Sequence, residues 1–352
     1  MALPTLVFAT QIPKIDNVLK GLLGLLELTF PSRVRAYYLG GSYADGSAID
    51  AGPTMNSSDL DLLVIFKEAV DKKEETRFAE LLDCCRHFAT ITLDAHLESE
   101  NDLYAENHPT IINVFLKKGS KFLYGEDIRE KLPLKSREVY TQEVLNHGLY
   151  HLGLLRQQGQ PQAFPLNVPL VYPLTYPDPA DEFFGYTASL QRIEGVLVPP
   201  GTRLAIAIGL WAATTNLVSK TGHFAGSKSQ TVAIYREIVA DEWTPLVEAL
   251  FYKCKLAWQH GIPESEDERA QLRAICRQLL AFENHFLLQA RHFMFEQLTS
   301  GLKSTKVEAL LGLQNVVYPQ DQELLAALKS ASDSADEEIG NTARRTLEIS
   351  SV

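Results

Sequence analysis

Apolar residues recur at helical spacing over 15–28, at Ile15, Val18, Leu19, Leu22, Leu23, Leu25 and Leu26, which predicts a first amphipathic helix that Pro31 stops. Val34–Leu39 then reads as a strand running into Gly40-Gly41-Ser42. Leu60–Phe66 is a second, nearly continuous apolar strand, the pattern of a strand covered on both faces. A polar loop joins the two. Helical spacing returns over 77–88, at Phe78, Leu81, Leu82, Cys85 and Phe88, after a charged stretch at 71–77. Over 90–97, Ile91, Leu93, Ala95 and Leu97 alternate with Thr92, Asp94 and His96, giving a third strand whose Asp94 points off the apolar face. Helix, strand, strand, helix, strand describes a small α/β domain ending near Tyr124-Gly125.

From about 138 the pattern is helical: Val144, Leu145, Leu149, Leu152 and Leu155, then 204–218, 245–260 and 268–298. Prolines crowd 161–201, the signature of an extended surface loop. Two weaker helices are expected in 305–347. The chain is thus expected to be α+β, with an N-terminal domain over 1–132, an all-α domain over 133–304 and a helical tail over 305–352.

Composition narrows the class. With 45% hydrophobic and 22% charged residues and no apolar run long enough to cross a bilayer, the chain reads as globular and cytoplasmic. Its first residues lack the basic start and apolar stretch of a secretory signal. Cys84, Cys85, Cys254 and Cys276 form no CxxC pair and are read as buried thiols. A net charge of -11 weighs against a broad nucleic-acid footprint and favours a small or cationic partner; a local basic patch still leaves a structured RNA open.

The chemistry concentrates in 39–66. Asp59 and Asp61, at i and i+2 on a strand, project from one face and can grip a pair of hard cations, the arrangement that assists in-line displacement at phosphorus. Oxygen-only ligands favour Mg2+ or Mn2+ over zinc. Gly40-Gly41-Ser42 makes a strand-to-turn corner where bare backbone and a hydroxyl can meet phosphate, with Gly46 and Ser47 as an extension. Asp94 has the facing and chain order of a third carboxylate, a metal ligand and base for an acceptor hydroxyl, with Glu98 and Glu100 as fallbacks. Ser227 and Gln230 form a capping-box pattern that sets Lys228 at a helix start.

Gly41-Ser42 with Ser58-Asp59-Leu60-Asp61 resembles the DNA polymerase β-like nucleotidyltransferase superfamily, whose signature is glycine-serine, a spacer, then aspartate-x-aspartate on a strand. Within it, SDLDLLV, FLYGED at 122–127 and the helical second half look most like the aminoglycoside nucleotidyltransferases. Lys220-Thr221-Gly222 and Ser227-Lys228 resemble their TGR and SK elements. The resemblance implies a mixed sheet flanked by helices, then a helical domain that closes on the nucleotide. It implies two Mg2+ ions on Asp59, Asp61 and Asp94, ATP as co-substrate, and Gly41, Ser42, Ser58 and Lys228 on the nucleotide side, Lys228 reaching the triphosphate from the second domain. The one departure is the spacer: 17 positions from Ser42 to Asp59, longer than usual, with 48–57 reading as an insert at small entropic cost.

The expected reaction is transfer of AMP from ATP to a hydroxyl of a small, cationic acceptor such as an aminoglycoside, releasing pyrophosphate. Three alternatives stay open: a toxin-like enzyme modifying tRNA or protein, an enzyme making oligonucleotide signals from nucleotides, and a nucleotide-binding scaffold without catalysis. Elsewhere, His147 and His151 at i and i+4 lack the HExxH glutamate and read as a structural pair, Trp211 as core, and Asp178, Asp181 and Glu182 as a solvated acidic loop.

Overall fold

The computed structural model describes residues 3–49, 58–89, 91–106, 108–156, 169–176, 178–191 and 197–350. Two compact units divide the chain: Met1–Lys135 with Phe224–Ala233, and Ser136–His223 with Ile234–Val352. The fold is α+β, a four-stranded mixed sheet flanked by helices and a helical C-terminal region.

In the first unit α1 (Pro13–Thr29), β1 (Val34–Leu39), α2 (Gly41–Asp45), β2 (Leu60–Phe66), α3 (Lys72–Phe88), β3 (Leu93–Ser99), α4 (Glu100–Leu103), α5 (Thr110–Val114) and β4 (Lys121–Gly125) follow in order. A π-helical turn, Phe115–Gly119, continues α5. The sheet runs β3-β2-β1-β4. β1 is antiparallel to both neighbours, and β2 is parallel to β3, the crossover between them being α3.

Side-chain alternation builds two cores from one sheet. Tyr37 and Leu39 of β1, Leu60, Leu62, Val64 and Phe66 of β2, and Leu93 of β3 pack with Leu19, Leu22, Leu23 and Leu26 of α1 and with Phe78 and Leu82 of α3. Ala36, Tyr38, Leu63 and Ile65 face the other way, against Leu103, Leu116, Ile128 and Leu132. Both faces of β2 are covered, which is why its sequence is apolar almost throughout. By the same alternation Asp61 shares the face of Leu63 and Ile65, and Asp94 opposes the face of Leu93.

In the first unit α3, β3 and β4 differ from expectation, and the short helices α2, α4 and α5 were not expected. α3 begins at Lys72 because the charged stretch is its first turn: Asp71 accepts from Lys73 N and Glu74 N, and Glu74 reaches back to Asp71 N. The third strand is Leu93–Ser99, shifted toward the C-terminus. β4 was not expected at all; it pairs with β1 and ends at Gly125, whose φ of 100° no side-chain-bearing residue adopts readily.

The second unit contains α6 (Arg137–Arg156) and α7 (Arg203–Thr221). α8 (Lys228–Ile234) belongs to the first unit for all but its last residue. α9 (Thr244–Glu248), α10 (Glu266–Ser300), α11 (Lys303–Leu313), α12 (Gln322–Ser332) and α13 (Glu337–Ser350) complete the helical unit. The expected helix over 245–260 is α9 followed by a π-helical stretch, Ala249–Ala257, and the C-terminal region holds three helices rather than two.

The described part of the proline-rich segment is more than a surface loop: Leu170, Phe183 and Tyr186 are buried, and Leu170–Val171 pairs with Val316–Val317. Arg156 and Glu283 form a buried ion pair of 2.5 Å that also takes the Tyr186 hydroxyl, anchoring this segment to α10. Glu182 pairs with Arg269 and Arg273, and Asp178 and Asp181 cap backbone turns, so these acids have structural tasks. His147 and His151 pack on Trp211, with His151 stacked at 5.0 Å between ring centroids, as expected of a structural pair. Cys254 and Cys276 are buried thiols, whereas Cys84 is exposed on the solvent side of α3 and Cys85 is only partly covered. Among the described residues, no helix is long and apolar enough to cross a membrane.

Candidate active site

The site lies within the first unit, at the end of the sheet where β1 turns into α2. Gly40 N donates to Asp61 O at 2.8 Å, which locks the glycine corner to the start of β2. Gly41 has φ of 59°, and a Cβ there would overlap the Asp61 carboxylate. Glycine is needed twice over: for a left-handed backbone, and to leave room for an acid side chain against the main chain. Gly40 is equally constrained, because a Cβ on it would enter the Phe115 ring. Ser42 then sits in the first turn of α2, whose short helix ends at Gly46 with φ of 77°.

Asp59 and Asp61 flank Leu60 at the mouth of β2, and Leu60 N is tied to Thr92 O at 2.9 Å. In the parallel register Asp61 lies directly beside Asp94. The sheet therefore places the third carboxylate next to the pair, on the same face. Asp94 Oδ1 is 3.2 Å from His96 Nε2, one strand position pair further along that face.

These placements perturb ionisation as an acidic cluster should. Burial pushes the Asp61 carboxyl up to about 7, reinforced by the negative charges of Asp59 and Asp94 and opposed by the positive charge of Lys228 and by His96. The hydrogen bond from His96 holds Asp94 below the usual carboxylate range despite its partial burial. The same bond, with the charges of Asp94 and Asp61, raises His96. Glu98 is raised by burial with Asp102 nearby, and Glu100 is engaged by Arg35 at 2.6 Å.

The nucleotide-side candidates separate. Gly41 and Ser42 stand at the corner beside Asp61. Ser58 is buried, and its hydroxyl accepts from Ile49 N at 2.9 Å while its own N donates to Ile49 O at 2.8 Å. This pair staples the base of the long spacer, so Asp59 follows a fixed point regardless of the loop's length; 50–57, most of the expected insert, lie outside the described residues. Lys228 belongs with the sheet rather than with the helical half in which the sequence placed it. Its segment is held there by three contacts: Ser229 Oγ donates to Asp45 Oδ2 at 2.6 Å, Gln230 Nε2 donates to Lys118 O at 2.5 Å, and Gly226 crosses Gly119 so closely that neither could carry a Cβ. The capping pattern is present in a variant form, with Ser227 Oγ accepting from Gln230 N and Gln230 Oε1 accepting from Gly226 N.

His96, Asp45, Ser229 and Phe115 were not singled out from the sequence. His96 could have been found, because alternation puts it on the Asp94 face. Asp45 and Ser229 meet across 184 positions and left no local signal.

The donor set fits a hard divalent cation by chemistry and charge: it is all carboxylate oxygen, and its mutual repulsion is what a cation would relieve. Among the described residues, no three Asp, Glu, His or Cys side chains already stand at metal-ligating spacing, and one Asp94 oxygen is committed to His96.

No known protein family and no curated protein matches the sequence. Among solved structures, the chain is similar to the spectinomycin adenyltransferase of Enterococcus faecialis, crystallised with ATP and spectinomycin. The TM-score is 0.43 at 12% identity, covering 77% of this chain and 98% of that one.

Proposed function

We propose that the chain is a nucleotidyltransferase that moves AMP from ATP to a hydroxyl of a small acceptor and releases pyrophosphate. One observation carries the reading: the Asp61 carboxylate lies against the bare backbone of Gly41 and beside Asp94, so that the glycine-serine corner and the acidic cluster are one site. A structural turn has no use for a half-buried carboxylate whose ionisation its neighbours oppose.

Each residue then has a task. Asp59 and Asp61, with Asp94, would hold Mg2+, which when bound neutralises charge on the triphosphate. Gly41 backbone and the Ser42 hydroxyl orient the phosphates, and Lys228 adds a positive charge on the same side. Asp94, kept ionised by His96, accepts the proton of the acceptor hydroxyl. The acceptor oxygen bonds to the α-phosphorus, the bond from that phosphorus to the bridging oxygen breaks, and pyrophosphate leaves with its electron pair.

An acceptor carrying amino groups, as an aminoglycoside does, suits a chain of net charge -11. The test is pyrophosphate release from ATP and Mg2+ across a panel of hydroxyl acceptors that includes aminoglycosides. Asp61→Asn should lower turnover by at least about a hundredfold, the scale of losing a charge clamp at phosphorus. Near-normal turnover in that variant would remove Asp61 from the chemistry.

A further inference from the structure

We propose that Asp45 is a positioning residue, which acts through Ser229 to fix Lys228 on the nucleotide side of the site. The inference rests on reading that site as a nucleotide site. Asp45 ends α2, the short helix that carries Ser42. One of its oxygens, Oδ1, accepts from Ser47 Oγ at 2.6 Å and from Ser47 N at 3.0 Å, closing the turn after the glycine-serine corner. The other, Oδ2, accepts from Ser229 Oγ at 2.6 Å. A single carboxylate thus joins the corner to a segment remote in sequence.

That segment is pinned from its other side as well. Gly226 packs on Gly119 backbone to backbone, and Gln230 spends its amide group on Lys118 O while its amide oxygen accepts from Gly226 N. Lys228 lies between these anchors. Its side chain is exposed, yet its charge acts on Asp61. A lysine on a long flexible stem gains little from a site unless its backbone is already placed, because ordering the side chain costs conformational entropy. The Asp45–Ser229 bond removes a degree of freedom next to the lysine Cα, at a residue that need not touch the nucleotide itself. Charged acceptors make the stronger hydrogen bonds, so the clip can hold at a partly exposed place.

The experiment uses the full chain and measures equilibrium binding of ATP in Mg2+, with KM and kcat for the transfer reaction alongside. Ser229→Ala should weaken ATP binding about three- to tenfold, the scale of one net hydrogen bond, and raise the KM for ATP with kcat nearly kept. Ser229→Thr, which keeps the hydroxyl, should restore binding. Combined with Lys228→Ala, the serine change should add nothing beyond the lysine change alone, because both act through the same group. Unchanged ATP affinity in Ser229→Ala, or a loss that adds in full to that of Lys228→Ala, would overturn the positioning role. A wild-type chain that does not bind ATP would overturn the nucleotide reading and this inference with it, an outcome visible before any variant is made.

Discussion

Asp61→Asn should make the metal-free protein more stable as well as inactive, and the gain should depend on pH in a definite sense. Asp61 has its carboxyl raised from 3.8 to about 7 in the folded chain, by burial first and by Asp59 and Asp94 next. A group that binds its proton more tightly when folded contributes its full stabilisation below the unfolded pKa. That stabilisation falls away as pH rises from about 4 and is gone above about 7. At 1.36 kcal/mol per tenfold change in proton affinity, the shift sets an upper bound of about 4 kcal/mol. Coupling to two neighbouring acids shares this out, so a realistic cost of ionised Asp61 is about 1–3 kcal/mol. Asparagine keeps the shape and cannot ionise. Urea unfolding in a chelator should therefore show Asp61→Asn more stable than wild type by about 1–3 kcal/mol at pH 8 and nearly equal to it at about pH 3.5, below the unfolded pKa, with m unchanged. Added Mg2+ should stabilise wild type at pH 8 and close the gap. A variant less stable than wild type at pH 8, or a difference of the same size at both pH values, would refute the electrostatic account of the site.

Gly41→Ala should cost about 2 kcal/mol or more in unfolding free energy, since it combines a left-handed backbone with overlap on Asp61, and should lower turnover by about a hundredfold; a silent substitution would contradict the close approach. His147, whose imidazole burial pushes down to about 4, is held neutral in the folded chain, so its contribution is present above pH 6.5 and is lost as pH falls toward 4. Acid unfolding of wild type should exceed that of His147→Phe by about 2 kcal/mol over this window, and parallel acid profiles would show that His147 is not the group responsible.

The candidate site was legible in the sequence because its parts are local or periodic. Strand alternation led to the expectation that Asp59 and Asp61 share a face, and Asp94 came from the same rule applied to the next strand; parallel pairing then set Asp94 beside Asp61. Gly41 stood out as glycine, although the sequence could not say that the side chain it must make room for is Asp61. The capped start of α3 was missed, because the box formed by Asp71 and Glu74 is masked by the charge of the stretch around it.

What escaped the sequence depends on contacts between distant residues. β4 is five residues long and mixed in character, and only pairing with β1 makes it a strand. Lys228 follows a long apolar helix and so reads as part of the helical half, until Ser229, Gln230 and Gly226 are seen to bind Asp45, Lys118 and Gly119. Ser58 matched a nucleotide-side motif position, while its buried hydroxyl staples the loop to Ile49. Hydrogen-bond partners of this kind have no period to read.

The most direct test of the central claim is the fate of label from ATP in the presence of Mg2+ and a productive acceptor. With ATP labelled at the α-phosphate, the label should appear on the acceptor, and with ATP labelled at the γ-phosphate it should appear in pyrophosphate, both at rates abolished by Asp59→Ala and Asp61→Ala. Transfer of the γ-phosphate to the acceptor, or binding of ATP with no transfer to any acceptor of a broad hydroxyl panel, would contradict it.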